Sequence, residues 1–313
     1  MLDYAHLEAL LAVEREGSFE GAARSLGVTS SAISQRIKLL EERLGAITVN
    51  RQVPIKPTKI GVTLCRHAEM VSMLEENIFR SNDSIGSGNQ LAIKVKIIVN
   101  DDSLSSWFMD VLMANAQSDS PYMFEISITD QDYSIDEIKL GTALAAISVN
   151  KEPVQGFCST FLGVHVYRAT ASPDFVEQYF PGGVNLEGLR QSPALRYSAQ
   201  DDLQQQWIEQ VFGETIVHDS HILPSSCGFV SACLKGIAWG MNPALMVDKY
   251  IGSGELVELV PDTVLNKPLY WHCSRLIAEP LQKFTNRVKE VANEKLDQSS
   301  RSLDIFANKI DCK

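Results

Sequence analysis

Two short amphipathic helices joined by a tight turn are predicted by the order of apolar and polar residues from position 19 to position 45. The inward face of the first helix consists of Ala22, Ala23 and Leu26. Apolar residues of the second helix recur at i, i+4, i+7 and i+11, which is one helical face: Ile33, Ile37, Leu40 and Leu44. Gly27 allows the sharp turn between them, and Gly45 suits a carboxyl-terminal cap. The pattern therefore predicts a helix-turn-helix.

The polar face of the second helix begins with short side chains. A hydroxyl at Thr29, Ser30 or Ser31 can cap its first turn. Small polar residues at a helix start are able to enter a major groove and reach base edges, while basic side chains reach phosphates. The candidate DNA-contacting residues are Thr29, Ser30, Ser31, Ser34, Gln35, Arg36 and Lys38. The alternative is an ordinary helical hairpin with a solvated polar face.

Flanking segments favour DNA binding. An apolar helix that includes Leu7, Leu10 and Leu11 precedes the pair and can pack behind it. Residues 47–63 contain two short β-prone runs and two prolines, which predicts a wing beside the second helix. Three basic side chains along this segment are expected to contact phosphates: Arg51, Lys56 and Lys59.

A helical stripe follows the wing. Leu64, Val71 and Ile78 are spaced by seven residues, with Leu74 between the last two, which is the spacing of a helix that pairs with a second copy. Packing against the chain's own body would give the same pattern. The Ser-, Gly- and Asn-rich segment 81–90 then predicts a hinge.

From residue 91 strands and helices alternate, which predicts a largely parallel sheet covered by helices. The predicted strands are 91–100, 124–129, 143–149 and 269–276. The predicted helices are 104–116, 135–140, 207–212, 227–234, 246–250 and 281–296.

Polar residues cluster where the predicted strands end, and ligands of such sheets bind at the carboxyl ends of strands. The candidate effector-binding residues are Asp101, Ser103, Asp130, Asp132, Ser148, Ser225 and Ser226. Ser225 and Ser226 lie at a helix start, where free N–H groups favour a carboxylate. The aspartates could hold a cation, so a basic amino acid fits both parts. The alternative for each residue is simple capping of a helix or turn.

Charge separates the two parts of the chain. The whole chain has 28 Lys and Arg against 39 Asp and Glu, a net charge of -11. Residues 1–60 carry eight basic and seven acidic residues, and six of those basic residues lie between Arg36 and Lys59. An acidic protein needs such a local basic cluster to bind DNA. The acidic remainder is therefore expected to have another role.

Other chemistry is sparse. The six cysteines have neither CxxC nor metal-like spacing, which favours reduced thiols over a redox pair, and we expect no metal and no cofactor. No Gly-rich phosphate loop, G-x-S-x-G or H-E-x-x-H motif is present, so an enzyme housed in the α/β part is the less favoured class. The absence of a signal peptide and of a long apolar run predicts a cytoplasmic protein with no membrane partner.

The amino-terminal residues resemble LysR-type transcriptional regulators. The matching residues are Ala23, Leu26, Ser31 to Ser34, Ile37, Leu40, Glu41, Leu44, Gly45, Asn50 and Arg51. The chain departs from the family pattern at Ile47 to Val49 and at Pro57 to Ile60, where wing packing differs, and at Ser30 and Ser31, where base preference differs.

The resemblance implies an α+β multidomain protein. A winged helix-turn-helix domain is expected at 1–60, a linker helix and hinge at 61–90, an effector-binding domain at 91–300 and a tail at 301–313. The effector domain would have two Rossmann-like lobes, as in periplasmic binding proteins: lobe I at 91–162 and 268–300, and lobe II at 163–267.

Three further segments, 99–108, 177–189 and 269–272, are similar to the ArgP/LysG branch of the family, which responds to lysine and arginine. The resemblance implies a regulator that binds operator DNA as a homodimer or homotetramer, with L-lysine or L-arginine between the lobes and RNA polymerase as a further candidate partner. Two alternatives stay open: a regulator with an unrelated effector, and a chromosome- or replication-origin-binding protein that controls no promoter.

Overall fold

The computed structural model describes residues 2–52, 54–81, 93–117, 122–128, 138 and 143–299. The predicted hinge, the tail and the predicted helix at 135–140 lie outside these ranges, apart from Ser81 and Ile138. The domain boundaries drawn there remain expectations.

Three helices form the amino-terminal unit: α1 (Tyr4–Glu16), α2 (Phe19–Ser25) and α3 (Ser30–Leu44). The hydroxyl of Thr29 accepts a hydrogen bond from the Ala32 N–H at 3.2 Å, so α3 is capped at the first of the three predicted positions. Gly27 adopts a φ of 63° in the turn, a left-handed conformation that costs glycine little. Ile33, Ile37 and Leu40 are fully buried, and each such side chain stabilises the unit by roughly 1.5–3 kcal/mol.

The wing is shorter than predicted. It consists of β1 (Val49–Asn50) and β2 (Lys56–Pro57), paired antiparallel. Helix α4 (Lys59–Ser81) follows at once, because the Thr58 hydroxyl accepts a hydrogen bond from the Gly61 N–H. The assignment of 59–63 to the wing is therefore wrong: these residues form the first turn of the linker helix.

One sheet of seven strands forms the centre of the rest of the chain. Its strands are β3 (Ile93–Val99), β4 (Tyr122–Ile128), β5 (Ala145–Ser148), β6 (Phe157–Ala171), β9 (Gly240–Pro243), β10 (Val257–Glu258) and β11 (Val264–Ser274). Strand β3 pairs in parallel with β4 and with β5, and a helical run lies between β3 and β4 in sequence. The long strands β6 and β11 pair antiparallel along 264–274 and continue from one lobe into the other.

Helices cover this sheet. The run α5 comprises Asp101–Ser103, a π-helical turn at Leu104–Phe108, and Met109–Ala116. It packs with the closing helix α11 (Gln282–Lys295) around the fully buried Trp107 and Phe284. Lobe II adds a two-stranded sheet, β7 (Ala194–Arg196) with β8 (Ser220–Ile222). Its helices are α6 (Pro173–Tyr179), α7 (Leu186–Gln191), α8 (Leu203–Phe212), α9 (Ser226–Leu234) and α10 (Ala244–Ser253).

The predicted division between the lobes coincides with an irregularity. The pairing of β6 and β11 shifts register between Leu269 and Tyr270, opposite Gly163. Gly163 has a φ of 143°, and a Cβ atom there would lie 2.7 Å from the Leu296 Cβ. The bulge lies next to the positions at which the sequence analysis placed the division between the lobes, and that division remains an expectation.

Helix α4 contacts both parts of the molecule. Near its start it packs on α1, and further along the Arg66 guanidinium lies 5.6 Å from the centre of the Phe157 ring at the beginning of β6. Glu69 lies 3.7 Å from Arg15 of α1, and burial raises the pKa of its carboxyl. The linker helix therefore joins the amino-terminal unit to lobe I by direct side-chain contacts.

Candidate DNA-reading surface and effector cleft

The polar face of α3 is open to solvent. Ser31, Ser34, Gln35 and Lys38 are exposed, whereas Ser30 and Arg36 are half-buried. Lys38 lies 3.6 Å from Glu42, one turn further along the same helix. The exposed side of one helix thus presents two hydroxyls, an amide and the Lys38 cation, which are groups able to reach base edges and phosphates.

A carboxylate that the sequence prediction did not single out fixes the wing. Glu41 Oε1 accepts hydrogen bonds from the Thr48 N–H at 2.8 Å and the Thr48 hydroxyl at 3.2 Å. Its second oxygen lies 3.6 Å from Arg51, whose side chain is 63% exposed. Glu41 therefore joins the end of α3 to β1 and positions a predicted phosphate-contacting residue.

The remaining basic candidates are both exposed. Lys56 lies on β2, and Lys59 is the first residue of α4 rather than part of the wing. Close packing supports this corner, because a Cβ atom at Gly61 would lie 2.0 Å from the Thr48 carbonyl oxygen. Only glycine fits there without displacing the wing.

The apolar residues of α4 that were predicted to pair with a second copy differ in burial. Leu64 is 8% exposed and belongs to the amino-terminal core, so its assignment to pairing with a second copy is wrong: it packs within its own chain. Val71 is half-buried and Leu74 is 40% exposed. The side chain of Ile78 lies outside the described residues.

Two carboxylates of lobe I bind one residue of lobe II. The Ser226 N–H donates to Asp101 Oδ2 at 2.6 Å, and its hydroxyl lies 3.0 Å from the same oxygen. The hydroxyl also donates to Asp102 Oδ1 at 2.7 Å, and the Tyr167 hydroxyl donates to Asp102 Oδ2 at 2.6 Å. The sequence prediction gave Asp101 and Ser226 to opposite ends of a ligand. The structure corrects this, since the two residues are bonded to each other across the cleft.

Burial makes Asp102 an unusual acid. Its pKa is raised to about 6, with burial as the largest cause; hydrogen bonds from Tyr167 and Ser226 oppose the rise, and the charges of Asp101 and Asp201 contribute to it. A neighbouring positive charge would favour its ionised form.

A small cavity, open to solvent, lies beside this contact. Its polar lining consists of Asn100, Asp101, Asp102, Tyr197, Asp201, Ser226 and Asn242, and its apolar lining of Leu203, Phe229, Met241 and Pro243. Within the described part of the chain the lining includes three aspartates and no basic side chain. The arrangement suits a ligand with a positive charge and an aliphatic portion.

Other predicted cleft residues have structural roles. The Ser225 hydroxyl caps α9 by accepting from the Gly228 N–H at 3.1 Å, and the Ser148 hydroxyl accepts from the Asn150 N–H at 3.0 Å. The Ser103 hydroxyl is buried, has no hydrogen-bond partner in the described ranges and does not line the cavity. Ser225 and Ser148 therefore cap a helix start and a turn, as the alternative interpretation expected. Asp130 and Asp132 lie outside the described residues.

Sequence reasoning missed five polar lining residues: Asn100, Asp102, Tyr197, Asp201 and Asn242. Asn100 and Asp102 belong to the predicted strand end and carried a signal. Asp201 and Asn242 lie far away in sequence, before α8 and at the end of β9, and only the folded chain brings them to the cavity.

The expectation of reduced thiols does not hold for every cysteine, because Cys158 is disulfide-bonded, whereas Cys65, Cys227, Cys233 and Cys273 are free. In the described ranges no group of three or more His, Cys, Asp or Glu side chains is arranged to hold a metal. Burial raises the pKa of Cys233 to about 12 and that of Cys273 to about 11, so both thiols stay protonated at neutral pH. No helix among the described residues is long and apolar enough to span a membrane.

Comparison with known proteins agrees with this geometry. Residues 4–62 match the family described as bacterial regulatory helix-turn-helix protein, lysR family. The chain is 35% identical over 297 residues to the HTH-type transcriptional regulator ArgP of Pseudomonas aeruginosa, covering 95% of this chain and 98% of that protein.

Two solved structures resemble the whole chain. ArgP from Mycobacterium tuberculosis is 32% identical with a TM-score of 0.80, covering 95% of this chain and 99% of that one. Full-length LysG from Corynebacterium glutamicum with bound effector Arg is 30% identical with a TM-score of 0.71, covering 95% and 100%.

Proposed function

This chain belongs to the lysR family of bacterial helix-turn-helix transcriptional regulators, and from that premise we propose that its DNA binding is controlled by L-arginine or L-lysine held in the cavity between its lobes. The observation that carries the proposal is the cavity lining, with three aspartates and no basic side chain among the described residues. A relative of similar fold over its full length, LysG, has been solved with bound effector Arg.

The apolar lining completes the fit. Leu203, Phe229 and Met241 offer surface to the aliphatic part of a lysine or arginine side chain. Asp102 and Asp201 line the same cavity, and a cation there would offset the cost of keeping neighbouring carboxylates charged. An acidic or purely apolar amino acid would bring no such compensation.

The output is the polar face of α3 with the basic residues beside it. Ser31, Ser34 and Gln35 would read base edges, whereas Arg36, Lys38 and the basic wing would contact phosphates. One recognition helix reads few base pairs, so a homodimer or homotetramer is part of the proposal, with the exposed Leu74 at its pairing surface. We place the protein in the cytoplasm with the chromosome and RNA polymerase, and we assign it no catalytic step.

The effector shifts DNA binding only by favouring one arrangement of the oligomer over another. Closure of the lobes around the effector would move α4 through its contact with lobe I and change the distance between recognition helices.

Calorimetry with L-arginine, L-lysine and L-norleucine tests the effector. Norleucine keeps the aliphatic chain of lysine and lacks its charge, so we expect heat with the first two amino acids only. DNA binding is tested in parallel on a duplex that the protein itself selects from a random library, with and without each amino acid. Equal binding of norleucine, or selected DNA whose binding ignores all three amino acids, would contradict the proposal.

A further inference from the structure

The amino-terminal end of α9 already holds a carboxylate. This helix has nine residues, and its first N–H, that of Ser226, donates to Asp101 Oδ2 at 2.6 Å. The Ser226 hydroxyl lies 3.0 Å from the same oxygen. Free N–H groups at a helix start, together with the helix dipole, are what would bind the carboxylate of an amino acid. A side chain of lobe I thus occupies the position that an effector carboxylate would take.

Buried groups beside this contact lack partners among the described residues. Asn100, which precedes Asp101, is 3% exposed, and in the described part of the chain neither its amide nitrogen nor its amide oxygen has a hydrogen-bond partner. Within the same ranges the amide oxygen of the fully buried Asn242 also lacks one. Both residues line the same cavity. Burying a polar group without a partner costs stability, so such groups mark a place where a ligand supplies the missing donors and acceptors.

We propose that Asp101 competes with the effector's carboxylate for the start of α9, and that the exchange makes the cavity specific for α-amino acids. The inference rests on the proposed function and adds how the cavity distinguishes α-amino acids from other cationic ligands. The effector carboxylate takes the place of Asp101 at the Ser226 N–H. Asp101, released from Ser226, then pairs with the effector's α-ammonium group.

Each half of the zwitterion is therefore needed. A ligand with no carboxylate leaves Asp101 at the helix start. A ligand with no ammonium displaces Asp101 and leaves it charged and unpaired next to Asp102, which is unfavourable for two neighbouring carboxylates. The side-chain cation then adds affinity through the acidic lining without deciding the exchange.

The experiment compares three ligands by calorimetry on the full-length protein: L-arginine, its decarboxylated form agmatine, and its deaminated form 5-guanidinopentanoate. The variant is Asp101→Asn, which keeps the shape and removes the charge. The matched control is Asp202→Asn, the same change at an exposed aspartate that does not line the cavity.

In the wild type we expect L-arginine to bind at least about 30-fold more tightly than either analogue, as befits the loss of a charge-assisted contact. In Asp101→Asn we expect L-arginine to bind about tenfold more weakly, because its ammonium loses a partner. In the same variant we expect 5-guanidinopentanoate to bind about tenfold more tightly, because its carboxylate no longer displaces a charged one. Asp202→Asn should match the wild type with all three.

The opposite movement of two ligands in one variant is the decisive result. If the affinities of all three ligands fell equally, or none changed, Asp101 would only add negative charge to the cavity lining and would not exchange with the effector carboxylate. Asp101→Ala provides a second test with the same expected signs, and circular dichroism of each variant verifies its folding. A wild type that binds neither L-arginine nor L-lysine would instead contradict the proposed effector itself, so the two failures are distinguishable.

Discussion

Replacing Gln35 by Glu is the sharpest test of the DNA-reading surface. The side chain is exposed on the polar face of α3 and keeps its size in the substitution, so the only large change is one negative charge. Fold stability should change by less than about 0.5 kcal/mol, as is usual for an exposed position. An effect on DNA binding would then be an effect at the interface.

The magnitude follows from distance. A charge about 7 Å from a phosphate in water is repelled by roughly 0.6 kcal/mol, and several phosphates border a major groove. Loss of a good base contact adds about 1–3 kcal/mol. The sum is about 2–4 kcal/mol, which corresponds to roughly 30- to 1,000-fold weaker binding.

Fluorescence anisotropy with the library-selected duplex measures the change. Gln178→Glu is the matched control, because the residue is exposed on α6 of lobe II and receives the same chemical change. Affinities of both variants within about threefold of wild type at physiological salt would refute the assignment of α3 as the recognition helix.

Three further predictions concern stability. Glu41→Gln should lower the free energy of unfolding by about 1–2 kcal/mol in chemical denaturation, because a charged acceptor of wing hydrogen bonds is lost, whereas Glu42→Gln, at an exposed position, should change it little. Asp102→Asn should have a higher melting temperature than wild type at about pH 8 and show no such gain at about pH 4. The pKa of the Asp102 carboxyl is about 6 in the folded chain, against an ordinary value of 3.8. The protonated carboxyl therefore contributes its full stability below the ordinary pKa, and this stability is lost as pH rises through the folded pKa; a melting-temperature difference that is the same at both pH values would contradict this. Gly61→Ala should destabilise by about 1–3 kcal/mol through overpacking, and Gly252→Ala, in a helix with open space around it, should be neutral or stabilising by up to about 1 kcal/mol; the reverse order would show that the wing does not pack on α4 as described.

Local features were predictable because local rules determine them. The spacing of Ile33, Ile37 and Leu40 defines a buried helix face, and Thr29 has the chemistry of a cap. The wing was overextended because Lys59 to Thr63 carry β-prone residues, while the Thr58 cap that starts α4 was not identified. Leu64 fits a pairing heptad as well as a core position, and periodicity alone does not separate the two.

The cleft was predictable only in part. The strand end at residues 100–103 indicated the position of the cavity, since that rule depends on chain direction alone. It could not show that Asp101 bonds to Ser226, 125 residues later, because that contact depends on how the lobes face each other. Asp201 and Asn242 follow no local pattern that distinguishes them from other polar residues near helix and strand ends.

Strand β6 has a mechanical consequence. Its first residue, Phe157, lies under the Arg66 guanidinium of the linker helix, and Tyr167, ten positions further along, donates to Asp102 in the cleft. Ten residues of extended chain span about 33 Å, and pairing with β11 along most of that length resists stretching. The cavity and the linker helix are therefore connected by one hydrogen-bonded strand, so a displacement at one end is not absorbed by lengthening of the strand between them.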